Sequence, residues 1–463
     1  MSLKNVATFA SALALAACAV GPDYVPPATP SQAAGPFIAA SGPAIQPLAP
    51  VEANWWRLYN DPVLDGLIAD ALASNTDVRV AAARLARTRA ALREVKVDRL
   101  PELGASASAT RGRNQLQPDT ATSFDAGLDV AYDIDLFGRT SRSVEAARGD
   151  VSAAEADAEA VRVGIVAETA RAYADASSAA ERLAVAQRIV ALLDDSLKLT
   201  ERRVDVGLTT RLDTARIAAL RNQRAAQIPA IAAERDSALF RLAMLTGRAP
   251  AGLPQAAGAR TLALKLDRPI PVGDGAELLA RRPDVRAAER RLAAATARIG
   301  VATADLYPRI TLGGSVGSSA GSIGNLFSNP VSFLLGPLIS WAFTDHVRAR
   351  ARIAGAEAGT REALAQFDGT VLRSLQETET ALSAYSHALQ QREALKAARD
   401  QAEIAARITR AQQREGQVDS LALLDAERTF AETEAALTEM DGLVVATQID
   451  LFRALGGGWS QRS

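Results

Sequence analysis

A chain of 463 residues in which 52 basic side chains nearly cancel 53 acidic ones has no basic field with which to hold nucleic acid. Its 48% hydrophobic content is enough for a substantial core and excludes a wholly disordered chain. One cysteine and two histidines, His346 and His387, cannot build a disulfide or a zinc site within one chain, so no metal and no cofactor is expected.

The first element is a targeting signal. Lys4 precedes the apolar run "VATFASALALAAC", which has the short charged region and apolar core of a secretory signal and is too short to span a membrane as a mature helix. The run ends in "LAAC" at Cys18, which resembles the bacterial lipobox; residues 1–17 would then be removed and Cys18 would carry a covalent lipid. The competing reading is an ordinary signal cut nearby, with an incidental cysteine. Ala19 stands where an aspartate would signal inner-membrane retention, so the resemblance implies a lipid anchor in the outer membrane. Residues 18–54 are rich in proline and glycine and are expected to run extended over the outside.

From residue 55 onward the chain is two copies of one unit. "DVRVAAARLARTRAALREVKVDRLP" (77–101) and "DVRAAERRLAAATARIGVATADLYP" (284–308) match at both ends, Asp77 with Asp284 and Pro101 with Pro308. The first copy is placed at 55–246 and the second at 276–457, with a linker at 247–275 and a tail at 458–463. Each reads helix, strand, strand, long helix, glycine, helix.

After each proline the apolar period changes from helical to two, giving strands at about 102–115, 122–137, 309–320 and 330–343. In "FDAGLDVAYDIDLF" (124–137) Phe124, Leu128, Val130, Tyr132, Ile134 and Leu136 alternate with Asp125, Asp129, Asp133 and Asp135, a strand apolar outside and acidic inside. Ile310, Leu312 and Val316, then Phe333, Leu335, Ile339, Trp341 and Phe343, continue the pattern. Such strands are long enough to cross a bilayer at the usual tilt. Four of them cannot close a barrel, and an open edge in lipid costs several kcal/mol per unpaired group, so closure requires other subunits. A soluble sandwich fits the aspartates locally but not the signal or the aromatic strand ends.

Long helices follow, from about Arg139 to Val206 and from about Val347 to Glu415, each roughly 100 Å at about 1.5 Å per residue. On the first, Leu183, Ala186, Val190, Leu193, Leu197, Thr200 and Val204, preceded by Ile165, Ala172, Ala176 and Ala179, form a coiled-coil seam rich in small residues. Gly207 and Gly416 end these helices at hairpins. Thr209 or Thr210 would cap the first returning helix, to Leu245, and Asp419 or Ser420 the second, to Leu455.

Together, "CAVGPDY" (18–24), "WWRLYNDPVLDGLI" (55–68), "YDIDLFGR" (132–139) and "RRPDVRAAERRLAAATARIG" (281–300) resemble the TolC-like outer-membrane efflux channels, in particular their OprM or NodT-type lipoprotein branch. The likeness covers essentially the whole mature chain. It implies a mainly α fold with a membrane β domain: a homotrimer whose twelve-stranded barrel, four strands per chain, continues into a helical coiled-coil barrel across the periplasm of a Gram-negative bacterium. It also implies partners, a periplasmic adaptor and an inner-membrane pump of the RND class, and passive conduction of drugs or other small molecules. No enzyme chemistry is expected, because no nucleophile, base and orienting group can be picked out.

By the same resemblance Leu421 and Asp425 line the periplasmic aperture with Arg428 as a salt-bridge partner, and the hairpins at Gly207, Asp213, Gly416 and Asp419 meet the adaptor. One departure is "SWAFTDHVRAR" (340–350), where Ala342, His346 and Val347 replace the proline and glycines common at that turn. Conduits for type I protein secretion or metal export remain the alternative, with a periplasmic scaffold or adaptor further behind. Three methionines and no histidine-rich stretch argue against metal cargo.

Overall fold

The structure, a computed structural model, describes residues 19–28, 31–40, 42–47, 49, 54–114, 117–266, 268–341 and 345–457. Cys18 and residues 342–344 of the second strand-to-helix turn lie outside them. Among the described residues the order is β1 (Ile45–Pro47), α1 (Pro62–Ser74), α2 (Thr76–Val97), β2 (Glu102–Asn114), β3 (Gln117–Ile134), α3 (Arg139–Asp205), α4 (Arg211–Ala225) and α5 (Ile228–Leu245). Then come β4 (Ile270–Gly273), α6 (Gly275–Arg281), α7 (Pro283–Ala304), β5 (Arg309–Ala320), β6 (Ser332–Ser340), α8 (His346–Arg414) and α9 (Ser420–Ala454). The described residues divide into two compact units, one made of those within 1–28, 83–156 and 286–370, the other of those within 29–82, 157–285 and 371–463.

The first unit holds a four-stranded antiparallel sheet in the order β2-β3-β5-β6. Its register sorts most of the side chains between two faces. On one face Leu103, Ala105 and Ala107 of β2 lie beside Val130, Leu128 and Ala126 of β3. Val130 and Leu128 in turn pair with Gly314 and Val316 of β5, and these with Leu335 and Phe333 of β6. On the opposite face Asp125, Asp129 and Asp133 line up with serines and a threonine. Ser108 donates to Asp125 (3.2 Å), Ser106 to Asp129 (3.1 Å) and Thr311 to Asp133 (2.5 Å). Alternation at period two therefore produces one apolar and one acid-hydroxyl face. The exceptions include Leu334 and Leu338 of β6 on the polar face and Arg111 of β2 and Ser318 of β5 on the apolar one. β2 and β6 each leave one edge without a partner strand among the described residues.

β3 stops at Ile134, before the expected end near residue 137. Asp135 is not a further rung of the acidic face: its carboxylate accepts from the N–H groups of Thr140 (2.9 Å) and Ser141 (2.7 Å), and so caps α3. Gly138 then turns the chain at φ 76°.

The second unit is cored by the "WWRLYNDP" motif. Trp55 is fully buried and stacks on Phe452 at 4.8 Å, with Tyr59 edge-on at 6.5 Å. Asp61 caps α1 through Val63 (2.9 Å) and Leu64 (3.2 Å), and its second oxygen accepts from Tyr173 (3.0 Å) and Arg260 (2.9 Å). Burial and the Asp61 charge push the Tyr173 hydroxyl well above its ordinary value, so it stays a donor. The stretch around residue 45 does more than run over the outside, because β1 pairs in parallel with β4 of the linker and buries Ile45, Ile270 and Val272.

"RRPDV" begins α7 at Pro283, where a missing N–H costs nothing. It also clamps the end of α9: Arg281 donates to the Leu455 carbonyl (2.8 Å) and Arg282 to that of Ala454 (3.0 Å), Asp284 (2.7 Å) and Glu377 (2.8 Å). Burial alone would raise Asp284, but the Arg282 bonds and charge hold it below the ordinary carboxylate value.

The first returning helix is not continuous. α4 stops at Ala225 and α5 restarts at Ile228, because Pro229 has no N–H and its ring would clash with the carbonyl of Ala225. Thr438 stands at the matching place in α9, which runs unbroken for 35 residues.

Candidate functional site

The two long helices end in the same way. Gly207 has φ 76° and Gly416 φ 74°, a conformation that costs glycine nothing. Gly207 donates to the Val204 carbonyl (2.9 Å) and Leu208 to that of Arg203 (2.7 Å); Gly416 and Gln417 repeat this on Gln413 (3.1 Å) and Gln412 (2.9 Å). These paired bonds are a Schellman ending. A Cβ at either glycine would meet nothing within 4 Å, so dihedral angle rather than space requires glycine.

The returning helices start from different caps. Asp419, not Ser420, caps α9, accepting from the Ala422 N–H (2.9 Å). On α4 Thr210 is the cap residue, and the Asp213 carboxylate accepts from its N–H (3.2 Å), its hydroxyl (2.8 Å) and the hydroxyl of Thr209 (2.8 Å). The Thr209 bond, then those of Thr210, hold Asp213 below the ordinary carboxylate value.

Leu421, Asp425 and Arg428 lie along one exposed face of α9, and Arg428 donates to Asp425 at 2.6 Å. Leu421 is 51% exposed, but Leu212 at the matching place on α4 is 57% exposed, so exposure alone does not single it out. The next position does: Asp425 matches Arg216, of opposite charge.

Three residues at this end carry contacts that the sequence reading misses: Glu427, Arg410 and Arg203. Glu427 is only 4% exposed and pairs in two bonds with Arg410 of α8, one of 2.8 Å, while the Arg410 guanidinium sits 6.0 Å from the Phe430 ring centre. Arg203, in the last turn of α3, donates to the Gln413 carbonyl at 3.0 Å and so ties the two long helices together. A signal for Glu427 exists, since it interrupts the buried stripe Leu423–Glu427–Ala431 at helical spacing. Arg203 leaves none, because its partner is a backbone oxygen.

At the other candidate site, Cys18 lies outside the described residues, but the chain just after it is placed. The Val20 N–H donates to the Phe137 carbonyl (3.2 Å), just beyond the end of β3. Among the described residues no cluster of histidine, cysteine or carboxylate side chains could hold a metal ion.

The family model for the outer membrane efflux protein matches residues 67–248 and 275–457. Outer membrane protein OprJ of Pseudomonas aeruginosa is 33% identical over 471 residues, covering 99% of this chain and 96% of OprJ. The toluene efflux pump outer membrane protein TtgI of Pseudomonas putida is 31% identical over 472 residues, covering 99% of each. The solved structure of the outer-membrane channel OprN superposes with a TM-score of 0.90 at 38% identity, covering 96% of this chain and 100% of that one.

Proposed function

The chain belongs to the outer membrane efflux protein family, and from that premise we propose that it works as a homotrimer, the outer-membrane channel of a tripartite pump. It is an outer-membrane efflux channel protein, of a transport family and not an enzyme family. Its partners in this reading are a periplasmic adaptor at the hairpins of Gly207, Asp213, Gly416 and Asp419 and an inner-membrane RND-type pump. The cargo is drugs or other small molecules, conducted passively. Cys18 carries the lipid anchor.

The observation that carries the reading is the sheet. It is apolar on one face and acid-hydroxyl on the other, and both its edges are open among the described residues. Such a sheet is stable in lipid only when its edges are paired, and three copies supply twelve strands. Its acidic face then lines a water-filled path. At the hairpins Asp425 forms one acidic ring behind a ring of Leu421, with Arg428 as the partner that holds or releases each carboxylate.

Reconstitution in planar bilayers tests this. Cation-selective channels from a three-chain species are expected, and conductance by a single chain would overturn the assembly. Asp425→Ala should lower the selectivity without abolishing it, because Asp125, Asp129 and Asp133 remain; unchanged selectivity would remove Asp425 from the filter.

A further inference from the structure

Three glycines from three separate motifs meet at one place in the first unit. Gly21 comes from "CAVGPDY", Gly138 from "YDIDLFGR" and Gly300 from the later part of α7. A Cβ on Gly138 would lie 2.8 Å from the Ala19 Cβ. One on Gly300 would lie 2.8 Å from the Arg142 Cγ and 2.9 Å from the Val20 carbonyl oxygen, and one on Gly21 would lie 2.4 Å from the Gly300 Cα. Backbone is thus packed on backbone, closer than any side chain would allow.

Arg142 closes the contact. Its side chain is 8% exposed, and it donates to Asp23 (2.7 Å) and Glu145 (2.8 Å) and reaches the carbonyls of Val20 (3.4 Å) and Gly21 (3.5 Å). The Val20 N–H bond to Phe137 and the Tyr24 hydroxyl bond to Glu289 (3.0 Å) complete it.

The place has a meaning for a membrane protein. Phe137 stacks on Tyr307 at 4.6 Å, and the Trp341 indole donates to the Leu306 carbonyl (3.2 Å). These aromatic residues stand at one end of the sheet, where Ile134 pairs with Ile310 and Arg309 with Ser340. Aromatic side chains at strand ends mark the level of the lipid headgroups.

We propose that Gly138, Arg142 and Gly300 form a seat for the chain's own N-terminal segment, Ala19–Asp23, which delivers the acyl chains of Cys18 to the bilayer at the rim of the sheet. This rests on the reading that Cys18 is acylated. Without the seat the nearest fixed residue would be Tyr24, six residues away, a leash of roughly 20 Å. That is about two thirds of a hydrocarbon core. With it the lipid is fixed one residue from a pinned backbone, so anchor and strands share one depth.

The test uses the full-length protein in phospholipid vesicles with a nitroxide on Pro22→Cys, the sole free thiol once Cys18 is acylated. An immobilised spectrum is expected, relaxed by a lipid-soluble agent as a headgroup-level site should be. Gly300→Val, which fills the seat, and Arg142→Ala, which empties it, should each lose the immobilised component, whereas Gly355→Ala, in open space on α8, should not. Equal mobility in parent and seat variants, or a label relaxed only from the aqueous side, overturns the seat. The mass of the N-terminal peptide is read separately: an unmodified Cys18 overturns the anchor reading and its delivery, whatever the label reports.

Discussion

Replacing Gly416 by alanine isolates one term. The substitution puts an L side chain at φ 74°, a conformation that costs roughly 1–2 kcal/mol for a residue with a Cβ. Nothing lies within 4 Å of the added atom, so no steric cost is added. The bonds at stake are those from Gly416 to Gln413 and from Gln417 to Gln412. A loss of roughly 1–2 kcal/mol shifts a local opening equilibrium about 5- to 30-fold. Hydrogen exchange on the assembled protein should therefore show these two amides exchanging about 5- to 30-fold faster in Gly416→Ala. Gly416→Asn should show a smaller change, because asparagine tolerates the left-handed region. Unchanged exchange in Gly416→Ala, or equal effects of alanine and asparagine, would refute the claim that this dihedral angle holds the hairpin.

Other outcomes follow from the same geometry. Arg282→Met removes the clamp on the Ala454 carbonyl and should lower stability by about 2 kcal/mol, discounted because Asp284 and Glu377 stay partly hydrated; an unchanged thermal midpoint by circular dichroism would contradict it. Glu427→Gln strips the counter-charge from Arg410 and should cost roughly 1–3 kcal/mol, while Glu427→Met with Arg410→Met should recover most of it in the same melt; a double variant no better than the single one would sink that pairing. Asp213 has a folded-state value below its unfolded one, so its contribution is complete above about pH 3.9 and is lost as pH falls through the lower folded value. Thermal midpoints measured from about pH 6 down to about pH 2.5 should fall more steeply in the parent than in Asp213→Asn; parallel curves would remove that role.

What is legible in the sequence is whatever depends on local geometry. Alternation at period two places Asp125, Asp129 and Asp133 on one face, and glycine before a cap marks both hairpins. The limits lie where a side chain changes partner. Asp135 continues the strand's alternation in the sequence, yet the two N–H groups opening α3 take its carboxylate. Pro229 is visible in the sequence, but the helix signal on either side of it hides the break.

The repeat shows why the rest is not legible. At the end of α5 the Asn75 amide donates to the Leu245 carbonyl (2.9 Å), and at the end of α9 Arg282 donates to the Ala454 carbonyl (3.0 Å). The positions correspond, Asn75 before Asp77 and Arg282 before Asp284, and so does the glycine that follows each helix, Gly247 with φ 69° and Gly456 with φ 66°. One requirement, an end carbonyl in a buried place that needs a donor, is met by an amide in one copy and a guanidinium in the other. No comparison of residue types pairs them. The backbone geometry is what the two copies share, and it leaves the side chains free to diverge at the hairpins, where Asp425 and Arg216 carry opposite charge at matching positions.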